Sequence, residues 1–225
     1  VGSNLQAVYE DPVLNDETRS DLLIPALVHD TIQAVDRRGL NVDGIYLAGA
    51  DELKTQTLVD KYLLVEGQAA SSGKQSKYGH RRPNFQVVVD IHEVAWALKF
   101  FLRGLDEPLT TFGEYASFIF MARGLARKDE QHRQCCEALS KLPTTSFHTL
   151  RAIVEHLQRV DSSRNGTTLD ALARAFTVYF FRSPDGRQGD ERDAEVQLKA
   201  TMVLLTLPIE YWDTAEKDVT INGEA

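Results

Sequence analysis

The stretch DIHEVAWALKFFLRGLDEPL, residues 90–109, decides the fold class. Asp90 followed three residues later by Glu93 has capping-box spacing, in which each side chain closes a free backbone N–H at a helix start. Val94, Leu98, Phe101, Leu102 and Leu105 then recur at helical spacing and predict one apolar face. Gly104 and Pro108 mark where that helix stops. Lys99 and Arg103 lie four residues apart and therefore share a flank. Two cations on a buried helix suggest a docking surface for something negative. Two solvated charges on an exposed face would give the same spacing, and isolated surface charges are the commoner arrangement.

Working outward toward the N-terminus, Asp51 caps a helix with Leu53, Leu58 and Tyr62 inward and Gly67 closing it. Before it, NVDGIYLAGA (residues 41–50) is too short to be a helix of its own. An earlier helix opens at Pro25, carries Leu27, Val28, Thr31, Ile32 and Val35, and ends at Arg37, Arg38 and Gly39. Residues 1–20 are polar, with Asp11-Pro12 and Asn15-Asp16 turn signals, and form an irregular lead-in. Residues 67–86, rich in Gly, Ser, Lys and Arg, form a mobile loop insertion. Phe85–Val89 alone is strand-like, and it is too isolated to build a sheet.

Toward the C-terminus, Thr111 and Glu114 repeat the capping-box spacing and open a helix through about Arg123. Lys128–Leu142 is another, interrupted by Pro143. Residues 145–160 are amphipathic, with Phe147, Leu150, Ile153, Val154, Leu157 and Val160 apolar. A loop at 161–166 precedes a helix capped by Thr168, which carries Leu169, Leu172, Phe176 and Phe180. A second exposed loop at 184–193 leads to a final helix ending before Pro208. The class is all-α, a bundle of about eight or nine helices.

Composition narrows the function classes. At 225 residues the chain fits a single domain, residues 1–225 with a core at about 22–212. A net charge of −8 argues against a broad nucleic-acid or anionic-membrane surface. No apolar run approaches the roughly 18 residues that span a bilayer. Glu10, Asp11 and Asp16 stand where a signal peptide would be apolar, so the expectation is cytoplasmic. Val1-Gly2-Ser3 has the look of an expression scar, which fits a piece of a larger multidomain protein. Cys135 and Cys136 are adjacent, a poor geometry for a disulfide, and are expected as reduced helix residues. Six histidines occur, none in HExxH or Cys/His ligand spacing, so no metal or cofactor is expected. No phosphate loop, nucleophile elbow or dinucleotide fingerprint is present, and no catalytic pair announces itself.

Four stretches in one order carry a family resemblance. They are Ile24-Pro25 with its Arg-Arg-Gly-Leu ending, Asp43-Gly44-Ile45-Tyr46, the segment 90–109, and Asn165-Gly166-Thr167-Thr168 followed by Leu172-Ala173 and Phe176. Spanning about residues 22–182, they resemble the Rho GTPase-activating protein (RhoGAP) domain. The resemblance implies an all-α signalling module whose partner is a Rho-family small GTPase, the GTP-bound form favoured. It also implies that Lys99 and Arg103 lie beside the signature loop and that the residue at Asn165 meets the GTPase. The implied docking set is Gly44, Tyr46, Leu47, Lys99, Arg103 and Asn165. For Asn165, its turn preference in an Asn-Gly context is the alternative explanation.

One departure decides the expected activity. After Gly-Ile-Tyr the family places an arginine finger, and here stands Leu47. The register reads either as a substitution, with Ala50 in place of the family glycine, or as loss of one residue, with Gly49 as that glycine. A finger supplied in trans is worth about 10³–10⁵ in rate, and leucine has no donor or charge to supply it. Thr177-Val178 also departs from the family's usual Gly-Pro. The expectation is therefore a catalytically silent GTPase-binding module, not an enzyme and with no catalytic residue. The alternatives are an active GTPase activator using a substitute such as Arg37, Arg38, Arg81 or Arg82, and a scaffold domain for a non-GTPase protein.

Overall fold

Every regular element in the computed structural model is an α-helix among the residues described, which are 23–72, 85, 90–124, 127–163, 165–183 and 191–223. The nine described helices are α1 (Ala26–Arg38), α2 (Glu52–Ser72), α3 (Ile91–Arg103), α4 (Tyr115–Arg123), α5 (Lys128–Leu139), α6 (Thr144–Ser162), α7 (Leu169–Phe180), α8 (Glu191–Thr206) and α9 (Ile209–Gly223). The chain divides into two compact units. One runs to Asp106 and includes Ser162–Thr167; the other comprises Glu107–Asp161 and the chain from Thr168 onward. Among the described residues no helix is long and apolar enough to cross a membrane.

In the first unit α3 packs on both α1 and α2. Its start follows from Asp90, whose carboxylate accepts the His92 N–H at 2.9 Å, while Glu93 pairs with Lys54 at 3.7 Å. Val94, Leu98, Phe101 and Leu102 are buried as their spacing predicts, and Leu105 follows just past the helix. At the end of α1 the Gly39 N–H donates to Val35 O at 2.7 Å. A Cβ on Gly39 would lie 3.0 Å from Val35 Cγ1 and 3.1 Å from Ile91 Cγ1, so glycine is what lets this turn sit against α3.

Helix α2 corrects two expectations. Asp51 caps it as expected, accepting the Lys54 N–H at 3.1 Å. The inward face, however, is Thr55, Val59 and Tyr62, whereas Leu53 is 74% exposed. Spacing of four and three residues puts 55, 59 and 62 on one stripe, which Leu53 does not share. Tyr62 fixes that register by donating its hydroxyl to Asp30 Oδ2 at 2.5 Å and stacking on Phe85 at 5.4 Å. The helix also continues through Gly67 to Ser72. One glycine costs a helix only about 1 kcal/mol relative to alanine, and Ala69 and Ala70 follow it. The rest of the expected loop, and the strand-like run apart from Phe85, lies outside the described residues.

In the second unit α4 and α7 each pack on α8, and α5 packs on α9. Helix α4 begins at Tyr115, later than expected. Thr111 adopts φ 55° and its hydroxyl accepts the Glu114 N–H at 3.3 Å, so the capping-box residues form a turn ahead of the helix. Thr168 caps α7 as expected, accepting from Ala171 N at 3.3 Å. Helix α8 starts at Glu191, inside the expected 184–193 loop, and residues 184–190 lie outside the described residues. The core is aromatic, with Phe147 against Trp212 at 5.7 Å and Phe118 edge-on to Phe181 at 5.6 Å. Trp212 belongs to α9, a helix the reading of the sequence stopped short of. Within α6, the Arg151 side chain is 3% exposed and meets Glu155 at 2.9 Å, Asp213 at 2.6 Å and Glu216 at 2.8 Å. Cys135 and Cys136 are free thiols on α5, and burial raises the pKa of both.

Candidate functional site

The loop between α1 and α2 is built from two left-handed residues. Gly44 (φ 66°) adopts that conformation without penalty because it has no Cβ. Tyr46 (φ 67°) does not have that freedom, and a bulky residue there costs about 1–3 kcal/mol. The surroundings hold it, since the Tyr46 side chain is fully buried and its carbonyl accepts from Lys99 Nζ. Two consecutive amides, Leu47 N and Ala48 N, both donate to Gly44 O at 2.8 Å, closing the loop on itself. Gly44 N in turn donates to Asn165 O at 3.4 Å.

Helix α3 grips this loop from one side. Trp96 and Lys99 stand three residues apart, one above the other on the same face. The Trp96 indole N–H donates to Ala48 O at 2.7 Å, and Lys99 holds Tyr46 O. The two carbonyls flank residue 47 in the chain, so the backbone is fixed on both sides of Leu47, which is itself 42% exposed. Lys99 Nζ also lies 5.0 Å from the Trp96 ring centroid. Lys99 is itself 5% exposed, and burial lowers its pKa from 10.5 to about 8.

The six residues named from the sequence are all in the first unit, but they divide by role. Leu47 is presented to solvent. Arg103 is also exposed, pairs with Glu52 at 2.8 Å and lies over the Phe100 ring at 5.2 Å. Gly44, Tyr46 and Lys99 build the loop from beneath. The two cations thus share a helix flank without sharing an environment, because Lys99 is turned under the loop. Asn165 is 1% exposed; its Oδ1 accepts Thr167 N and its Nδ2 donates to Ser163 Oγ, both at 2.9 Å. That side-chain-to-backbone bond two residues on is the turn-forming habit of asparagine. Trp96 was missed, although its place three residues before Lys99 was the available signal. Of the substitute arginines, Arg37 is exposed at the end of α1, while Arg81 and Arg82 lie outside the described residues.

The RhoGAP domain family model matches residues 25–185 of this chain. The chain belongs to the RhoGAP family. This RhoGAP chain is 32% identical over 197 residues to Rac GTPase-activating protein 1 of Mus musculus, covering 85% of the chain and 29% of that relative. It is 25% identical over 170 residues to Rho GTPase-activating protein 24 of Homo sapiens, covering 74% and 21%. The chain therefore spans less than a third of the length of either. The fold is that of human Rho GTPase activating protein 15, with a TM-score of 0.65 at 24% identity and 81% of each chain covered. These findings correct the expectation that the chain is not an enzyme. Its relatives are named GTPase-activating proteins.

Proposed function

We propose that this RhoGAP domain docks a Rho-family small GTPase through its 43–49 loop and Arg103, and regulates it in signal transduction. The observation that carries this reading is Leu47, an apolar side chain exposed at the tip of a loop fixed on both sides. A loop held in one conformation before a partner arrives loses little entropy on binding. The GTP-bound form is the preferred partner, because the γ-phosphate orders the switch segments that such a loop would meet. In this reading Leu47 and Arg103 meet the GTPase directly, and Gly44, Tyr46, Lys99 and Asn165 shape the loop. Whatever acceleration the domain gives arises without a cation at residue 47, by orienting the GTPase's own groups.

The test is GTP hydrolysis by Rho and Rac proteins with saturating domain, wild type beside Leu47→Arg, and capture of the GTP- and GDP-loaded forms in parallel. The expected outcome is GTP-dependent capture by both domains and hydrolysis at least about tenfold faster with Leu47→Arg. That is a small part of what a trans-supplied arginine gives, since the surrounding loop is built around leucine. Absence of GTP-dependent capture by either domain would overturn the reading and leave a scaffold for another protein.

A further inference from the structure

We propose that Trp96 is the positioning residue of the Leu47 tip, fixing its presentation in the free protein; the docking half of this proposal rests on the function proposed above. Nothing in the apolar periodicity of α3 requires an indole at this position, since Trp96 is half-buried while Val94, Leu98 and Leu102 supply the core. Its distinctive group is the Nε1–H, and that group is spent on the carbonyl of Ala48, the residue directly after Leu47. A tryptophan ring brings large contact area and low conformational freedom to this task, with only two side-chain torsions to fix. Lys99, one helical turn on, places its Nζ 5.0 Å from the same ring and anchors the carbonyl on the other side of Leu47. The two α3 side chains thus brace each other and hold residues 46 and 48. Turning the backbone at Leu47 inward would break one of these bonds.

Leu47 N and Ala48 N are internal reporters, because both donate to Gly44 O only while the tip keeps this shape. Trp96→Phe keeps a ring beneath Lys99 and removes the N–H. Amide hydrogen exchange in the free domain should then accelerate at Leu47 and Ala48 by about five- to tenfold, the range one neutral hydrogen bond controls. Amides of the α3 core should not change. Affinity for a GTP-loaded Rho-family protein should fall by a similar factor, with the unfolding midpoint lowered by only about 2–4 °C. Trp212→Phe, in the other unit, serves as the control and should leave the two loop amides alone. Unchanged exchange in Trp96→Phe overturns the proposal. Faster exchange with unaltered affinity overturns its docking half. A wild-type domain that binds no GTPase removes the proposed function instead, and the exchange comparison still decides whether Trp96 holds the tip.

Discussion

Replacing Lys99 by methionine separates what its charge costs from what its hydrogen bond contributes. Burial lowers the pKa from 10.5 to about 8, which corresponds to about 3 kcal/mol held against the ammonium form in the folded protein. Between about pH 8 and 10.5 the unfolded chain holds a proton that the folded chain has released. Stability from this group therefore rises with pH across that window. Below pH 8 the full penalty is present; above 10.5 it is gone. Methionine removes the penalty but also takes a donor from the Tyr46 carbonyl, a loss of about 1–3 kcal/mol. The two effects nearly cancel at pH 7, so Lys99→Met should be close to neutral there. By pH 10 the wild type should be the more stable by about 1–3 kcal/mol, as the penalty fades while the bond remains. Urea unfolding of both proteins at pH 7, 8, 9 and 10 reads this directly. The difference between them isolates Lys99 from Cys135 and Cys136, whose raised pKa values give the opposite slope. A difference that stays flat from pH 7 to 10 would refute the buried-ammonium argument.

Two further outcomes test the packing. Val59→Ala should destabilise by about 1–2.5 kcal/mol, whereas Leu53→Ala should fall within about 0.5 kcal/mol of wild type; thermal unfolding that ranked them the other way would restore the discarded α2 register. Arg151→Met should cost about 3 kcal/mol in urea unfolding, the low end for breaking a buried pair, because Asp213 and Glu216 remain partly solvated. A neutral result would mean the three carboxylates do not need their cation.

How far the sequence was legible depended on whether the signal was local. Asp51, Asp90 and Thr168 cap helices in the fold because a capping bond closes within three residues and depends on little else. The face of α3 was legible because four large apolar residues, Val94, Leu98, Phe101 and Leu102, repeat along it. Helix α2 was not, since Leu53 lies on its polar side and the true stripe includes Thr55, a residue that spacing rules do not count as apolar. Helix α9 escaped because Pro208 was read only as a stop. Trp212, Ala215 and Val219 then recur at helical spacing, though with eight polar residues among the fifteen. Gly44, Tyr46, Leu47, Lys99 and Asn165 come together in the fold, but which of them is exposed and which lies beneath the loop was not legible. Whether Lys99 faces solvent or a carbonyl some fifty residues earlier is set by the path of the loop, which no periodicity encodes.

Gly44 and Asn165, joined through one backbone hydrogen bond, are about 120 residues apart in the chain. During synthesis at about 5–20 residues per second, Asn165 follows Gly44 by roughly 6–24 s. Helices α1 to α3 are synthesised before that partner, α3 ending at Arg103. The nascent loop lacks the Asn165 carbonyl that its Gly44 N–H bonds until Ser162–Thr167 arrives to complete the first unit. Order of emergence thus makes the tip one of the last parts of this unit to settle, after the helix that grips it has already formed.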